Sequence, residues 1–175
     1  KKGMPAISYN GASLLKISQP YFGAKWKFAK LSMKADGDSF RRWRGTCSKT
    51  LFFNADLSWG TARKNKMVGT FKFDVTKTVT PAIGGGLEFR LPLEAFKNNF
   101  GALDPILLGK SGWEWRFAKD EKIKILFKPE LEDVFFERGN KNRIRCMFFS
   151  RSVPQGQKAF TMTVELPAGS RWRPT

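Results

Sequence analysis

The sequence contains no histidine, and this absence excludes much of the chemistry by which enzymes work. Histidine is the side chain most often used for proton transfer near neutral pH, and it is also the commonest metal ligand. Without it a serine or cysteine nucleophile has no imidazole base, and the two cysteines alone do not complete a zinc site. The composition therefore predicts no metal, no cofactor and a binding protein rather than an enzyme.

Nucleotide-binding signatures are missing as well. Residues 84–86 are consecutive glycines followed by a strand-like segment, whereas a dinucleotide fingerprint places its glycines between a strand and a helix. Gly109, Lys110 and Ser111 match the end of a phosphate-binding loop. The glycine that begins such a loop is replaced by Asp104, so both segments are interpreted as turns.

Long apolar runs are absent, and cysteines are few. No stretch approaches the roughly 20 apolar residues that a membrane-spanning helix requires, so we expect no membrane association. Cys47 and Cys146 lie in separate strand-like segments. They either pair across the fold, which would suit an exported protein, or remain two buried thiols.

Positive charge is what the sequence has in excess. It carries 32 Lys and Arg against 15 Asp and Glu, a net charge of +17 in 175 residues. Because self-repulsion on this scale destabilises a compact domain, we expect an acidic partner; the alternative is a lysine-rich surface that serves only solubility. Residues 1–72 carry a net charge of +12 and residues 73–175 one of +5, so we expect the first strands to build most of the basic face.

Apolar residues recur at every second position in many short segments. Within residues 67–76, for example, Phe71 and Phe73 fall on one face while Lys72 and Asp74 fall on the other. Glycine, proline, asparagine and aspartate separate these segments at close intervals, which is typical of all-β domains. A slip of the alternation near Phe28 and Ala29 predicts a β-bulge.

These patterns predict one domain over residues 1–175. Its expected fold is an antiparallel β-sandwich of jelly-roll type, with at most one short helix at residues 93–99. The length is sufficient to bury a core without disulfides or metals.

Two segments interleave aromatic rings with cations: KWKFAK at residues 25–30 and FRRWR at residues 40–44. Aromatic rings stack on sugars or nucleobases, while Lys and Arg bind carboxylates, sulfates or phosphates. Tryptophan in a β protein is also a common core residue, and this alternative stays open for each ring. The predicted ligand-binding residues are Trp26, Arg41, Arg42, Trp43 and Arg44, with Trp59 at the rim.

Paired carboxylates are the remaining route to catalysis, because two Asp or Glu side chains at a suitable separation hydrolyse glycosidic bonds. Glu88 and Glu114 are predicted at solvent-facing positions of two strands, two residues before Arg90 and Arg116 respectively. Cross-strand ion pairing is the simpler explanation of these acidic and basic residues. The third hypothesis for function is therefore a polysaccharide-degrading enzyme, whose candidate acids and bases are Glu88, Glu114, Glu137, Asp133, Tyr9 and Tyr21.

Three segments, GLEFRL at residues 86–91, FFERGN at 135–140 and TMTVELP at 161–167, resemble the β-sandwich carbohydrate-binding modules of secreted bacterial polysaccharide-degrading enzymes. The resemblance covers about the C-terminal half and carries over no binding residue. It implies a secreted bacterial protein, a glycan ligand and a catalytic domain in the same parent chain. Together with the charge, it predicts a non-catalytic module that binds an acidic polysaccharide.

The alternative prediction is a nucleic-acid-binding β domain, either capsid-like or RNA-binding. Phosphate contacts and counterion release would give such a domain strong affinity that falls steeply with salt. The sequence has no arginine-rich arm, and its cations are spread along the strands. That distribution favours a shaped ligand on a folded surface.

Overall fold

The computed structural model of this chain describes residues 5–9, 11–18, 20–22, 27–28, 30–35, 39–46, 51–60, 65–78, 85–91, 104–117, 121–138, 142–150 and 152–174. Within these ranges the chain forms sixteen β-strands and no helix. The strands are β1 (Pro5–Tyr9), β2 (Ala12–Ile17), β3 (Tyr21–Phe22), β4 (Lys27–Phe28), β5 (Lys30–Ala35), β6 (Phe40–Thr46), β7 (Leu51–Gly60), β8 (Asn65–Val75), β9 (Gly85–Arg90), β10 (Ile106–Leu107), β11 (Gly112–Phe117), β12 (Glu121–Lys128), β13 (Asp133–Glu137), β14 (Arg143–Phe149), β15 (Gly156–Leu166) and β16 (Arg171–Pro174).

The strands form two antiparallel sheets of eight strands each. The first sheet has the order β13-β14-β9-β2-β1-β16, with β3 paired to β4 and to β9. The second sheet has the order β10-β11-β12-β15-β8-β7-β6-β5. The predicted antiparallel β-sandwich is therefore confirmed, whereas the predicted helix at residues 93–99 lies outside the described residues.

The alternation of the sequence decides which face of each strand is buried. In β8, Phe71 and Phe73 are buried and Lys72 is exposed, because successive side chains of a strand point to opposite faces. Phe148 of the first sheet packs against rings of the second, 5.0 Å from Phe73 and 4.6 Å from Phe160 between ring centroids. These contacts fill the space between the described parts of the two sheets, which leaves their outward faces and the ends of the sandwich for a ligand.

The chain moves from one sheet to the other between β4 and β5. Strand β4 pairs with β3 in the first sheet, and β5 pairs with β6 in the second. The predicted slip of the alternation falls at this transfer. The bulge itself involves Ala29, which lies outside the described residues.

Cys146 is a free thiol that is completely buried in β14. Burial raises the pKa of this thiol, so it stays protonated and unreactive. The structure contains no disulfide at Cys146, and Cys47 lies outside the described residues. In the part of the chain that the structure describes, no group of His, Cys, Asp and Glu is arranged to hold a metal ion, and no helix is long and apolar enough to cross a membrane.

Candidate functional site

Strand β6 carries four of the predicted ligand-binding residues, and its alternation divides them between two faces. On the inward face Trp43 is completely buried and Arg41 is 9% exposed. A ring without exposed surface cannot contact a ligand, so Trp43 is a core residue. Arg41 is buried on the same face. On the outward face Arg44 is exposed and the side chain of Arg42 is 37% exposed.

Trp59, predicted at the rim of the site, stacks on Trp172. The two ring centroids lie 6.1 Å apart and the ring planes differ by 13°. The guanidinium of Arg41 lies 5.8 Å from the centre of the Trp172 ring, which is within cation–π range. Because Trp59 belongs to β7 and Trp172 to β16, these contacts join the two sheets. Trp26 lies outside the described residues.

The outward arginines of β6 lead into a polar row that crosses the second sheet. Nε of Arg42 donates a hydrogen bond to Oδ1 of Asp56 at 2.7 Å, and because both side chains are substantially exposed this pair contributes about 1 kcal/mol or less. Arg44 lies opposite Asn54 of β7, and Asn54 lies opposite Lys72 of β8. The register thus brings Arg44 and Lys72 to either side of one amide.

This row ends in a depression of about 350 Å³ on the outward face of the second sheet. Strands β7, β8 and β15, which are neighbours in the sheet, supply its walls. The Nζ of Lys158 lies 5.3 Å from the ring of Phe149, which belongs to the first sheet, so that ammonium is directed into the sandwich. The lining residues are Asn54, Lys72, Phe73, Asp74, Gln157, Lys158 and Ala159.

The depression offers hydrogen-bonding groups of several kinds beside the small side chain of Ala159. The amides of Asn54 and Gln157 both donate and accept hydrogen bonds, Asp74 accepts them and Lys72 donates them. Sequence reasoning missed this set. Each member is an outward position of an alternating strand, but alternation does not show which strands are neighbours.

Glu88 and Glu114, predicted at solvent-facing positions, are both buried, with 3% and 6% of their surface exposed. The prediction is wrong for Glu88 because β9 is covered on both faces from Gly85 to Phe89. Oε1 of Glu88 lies 3.3 Å from Nε of Arg145 and 3.4 Å from Nη1 of Arg143. The predicted cross-strand ion pairing is confirmed for Glu88, whose partners Arg143 and Arg145 belong to β14. Glu114 instead pairs with Arg116 of its own strand.

Glu137 of β13 binds the same two arginines as Glu88. Its Oε2 lies 2.5 Å from Nε of Arg143, and its Oε1 lies 3.2 Å from Nη1 of Arg145. Two guanidinium groups thus bridge two carboxylates and engage the oxygens with which a general acid would reach a substrate. Burial raises the pKa of the nearby Tyr21 hydroxyl above its ordinary value, against the opposing effect of Arg145, which makes Tyr21 a poor base.

The other candidate acids and bases also make interactions within the fold. Oε1 of Glu114 accepts a hydrogen bond from Nε of Arg116 at 2.6 Å, which holds the pKa of Glu114 below its usual value. The carboxylate of Asp133 accepts a hydrogen bond from the N–H of Val134 at 2.8 Å. The hydroxyl of Tyr9 donates to the carboxylate of Glu121.

Comparison with known proteins gives structural similarities but no match by sequence. No protein-family model matches the sequence, and no curated protein matches it significantly. Among solved structures, the chain is similar to one described as a putative kojibiose phosphorylase from human microbiome, with 10% identity and a TM-score of 0.46. The similarity covers 97% of this chain and 22% of that one, so this chain spans about a fifth of its length. No residue role is carried over from that protein.

Proposed function

We propose that this chain is a non-catalytic carbohydrate-binding module whose ligand is an acidic polysaccharide, bound at the depression on the second sheet. The observation that carries the proposal is the lining, in which Asn54 and Gln157 stand beside Lys72 and Asp74. Amides and carboxylates suit the neighbouring hydroxyls of a sugar, since together they donate and accept, and an ammonium suits a carboxylate. The volume of about 350 Å³ falls within the usual range of ligand sites.

The charge around the depression favours an acidic glycan over a neutral one. Lys72 belongs to the lining, and the exposed Arg44 lies beyond Asn54 in the same row. The net charge of +17 attracts polyanions at long range and speeds their encounter with the surface. The neutral hydrogen bonds add recognition that salt does not screen.

Binding without catalysis is proposed because the candidate acids and bases serve the fold. Glu88 and Glu137 are bridged by arginines, and Glu114 is held by Arg116. Among the residues described around the depression, Asp74 alone has a carboxylate. Glycoside hydrolysis by the usual mechanism requires two.

We also propose that the module acts outside a bacterial cell, in a chain that contains a polysaccharide-degrading domain, as the resemblance described above implies. The free thiol of Cys146 lends this location no support. Fractionation of the producing cells tests the proposal. Recovery of the protein from the medium or the cell envelope agrees with it, and confinement to the cytoplasm refutes it.

Substitution of Lys72 by alanine tests the site. Titration calorimetry would compare wild type and Lys72→Ala with hyaluronan, polygalacturonate, a neutral glucan and single-stranded DNA, at low salt and at about 0.3 M, where exposed charges are well screened. A charge-assisted hydrogen bond contributes about 1.5–3 kcal/mol, so we expect Kd for an acidic glycan to rise about tenfold or more.

Lys66→Ala is the matched control. Lys66 is exposed on the same strand and the same face as Lys72, about 20 Å away at the usual rise per residue. Its removal changes the net charge equally, yet we expect affinity to stay within about twofold because it lies outside the depression. Equal weakening by both substitutions would contradict a localised site. DNA binding that persists at high salt without glycan binding would favour the nucleic-acid alternative.

A further inference from the structure

Over five neighbouring strands of the second sheet, the outward-facing cations are restricted to alternate strands. Along the neighbouring strands β6, β7, β8, β15 and β12, every outward-facing Lys or Arg that the structure describes belongs to β6, β8 or β12. The two intervening strands carry amides, hydroxyls, carboxylates and small residues at their described outward positions. The cations are Arg42 and Arg44 on β6, Lys66 and Lys72 on β8, and Lys122, Lys124 and Lys128 on β12.

Beyond β12, the next strand, β11, also has an outward cation, Arg116. Its Nε is hydrogen-bonded to Glu114 at 2.6 Å, as Nε of Arg42 is to Asp56 at 2.7 Å. Because β11 and β12 are neighbours and both bear cations, the alternation ends at β12. The alternation therefore spans the five strands that run from β6 to β12 and include the depression.

This arrangement spaces the cations widely. Neighbouring strands lie about 4.8 Å apart, so cation-bearing strands are separated by about 9.6 Å. Arg44 and Lys72 stand at this separation on either side of Asn54 in one row. Lys128 stands two strands beyond Lys72, in the adjacent row, opposite Thr161 of β15.

We infer that the ligand is an acidic polysaccharide with one carboxylate per disaccharide, lying across the strands from β6 towards β12. In an extended chain one sugar advances by approximately the distance between neighbouring strands. Alternate sugars then meet cation-bearing strands, and the sugars between them meet Asn54 of β7 and Thr161 of β15. The inference rests on the proposed function and names the ligand class of the same site.

A ligand with denser charge fits this surface less well. In a polymer with a carboxylate on every sugar, every second carboxylate would lie over β7 or β15, beside side chains such as Asp56 and Thr161. A nucleic acid strand carries its charges even more closely, about 3.4 Å apart in a duplex. Both polymers are attracted to the basic face, but the distance between their charges does not match the distance between the cation-bearing strands.

Hyaluronan and polygalacturonate provide the test, because hyaluronan has one carboxylate per disaccharide and polygalacturonate has one on every sugar. We expect wild-type protein to bind hyaluronan fragments at least tenfold more tightly than polygalacturonate fragments of equal length at high salt. Thr161→Lys places a cation on β15, at an exposed position between two cation-bearing strands. We expect Thr161→Lys to increase the affinity for polygalacturonate severalfold. The ratio of hyaluronan affinity to polygalacturonate affinity should therefore decrease.

Val68→Lys is the control, since it adds the same charge to β8, a strand that already bears cations, at an exposed outward position. We expect Val68→Lys to leave the ratio of hyaluronan affinity to polygalacturonate affinity unchanged. Equal or tighter binding of polygalacturonate, with Lys72→Ala still weakening it, overturns the inferred ligand class and leaves the proposed function standing. An equal change of the hyaluronan preference in Thr161→Lys and Val68→Lys also overturns the inferred ligand class. If the protein binds no glycan, both the ligand class and the proposed function are overturned.

Discussion

Replacing Glu88 with glutamine tests whether the arginine–carboxylate cluster of the first sheet stabilises the fold. The side chain is 4% exposed, and its Oε1 lies within 3.4 Å of Arg145 and Arg143. Glutamine keeps the shape but removes the charge, so these arginines would lose one of the two carboxylates that they share and keep Glu137. Removing one partner from a buried ion pair costs about 3–5 kcal/mol. We expect about 3 kcal/mol, because the amide oxygen of glutamine still accepts a hydrogen bond.

Equilibrium unfolding in urea measures this loss as a lower midpoint with an unchanged slope. Glu165→Gln, which removes the same charge from the outward face of β15, should change the unfolding free energy by about 0.5 kcal/mol or less. A loss below about 1 kcal/mol for Glu88→Gln would refute the reasoning, because the arginines would then be satisfied without Glu88. Folded Glu88→Gln should bind glycan normally, since Glu88 lies on the other sheet.

Two further predictions concern Glu114 and Trp43. Arg116 lowers the pKa of Glu114 in the folded protein. Such a carboxyl stabilises the fold at pH values above its pKa in the unfolded chain, and this stabilisation is lost as the pH falls through its pKa in the folded protein. Between about pH 6 and pH 3 the thermal midpoint should therefore fall further for wild type than for Glu114→Gln, and parallel curves would contradict this. Trp43→Ala should lower the unfolding free energy by about 3–5 kcal/mol. The folded fraction of this variant should bind glycan with unchanged Kd. Weaker binding would mean that Trp43 contributes to the binding site.

The strands and their inward faces are predictable because alternation is a local property. Strands β8 and β15 show it almost without interruption, and their apolar positions form the core. The order of the strands is not local, since β15 pairs with β8 across a long intervening segment. The depression requires β7, β8 and β15 side by side, so no pattern within one strand indicates it.

Strand β6 shows that the alternation also limits which residues can share a site. The basic and aromatic residues from Arg41 to Arg44 look like one cluster in the sequence, yet consecutive residues of a strand point to opposite faces. Only Arg42 and Arg44 share the outward face. Strand β9 shows the converse limit: alternation predicted that Glu88 faces outward but not that this side of the strand is covered.

Part of the positive charge on the outward face of the first sheet is compensated within the protein, which favours the second sheet as the binding face. On the first sheet the side chains of Arg145 and Arg143 are 11% and 23% exposed and share two carboxylates, so their charge is compensated within the protein. On the second sheet Lys72 and Lys128 are exposed, where the carboxylate of a ligand can approach them. The expectation that the first strands build most of the basic face stays a prediction, because four of the seven outward cations on the strands from β6 to β12 come from residues 1–72. Lys128 comes from the less basic part of the chain and reaches this face through the pairing of β12 with β15. Strand order and the uneven distribution of charge along the sequence together assemble the surface that we propose binds an acidic polysaccharide.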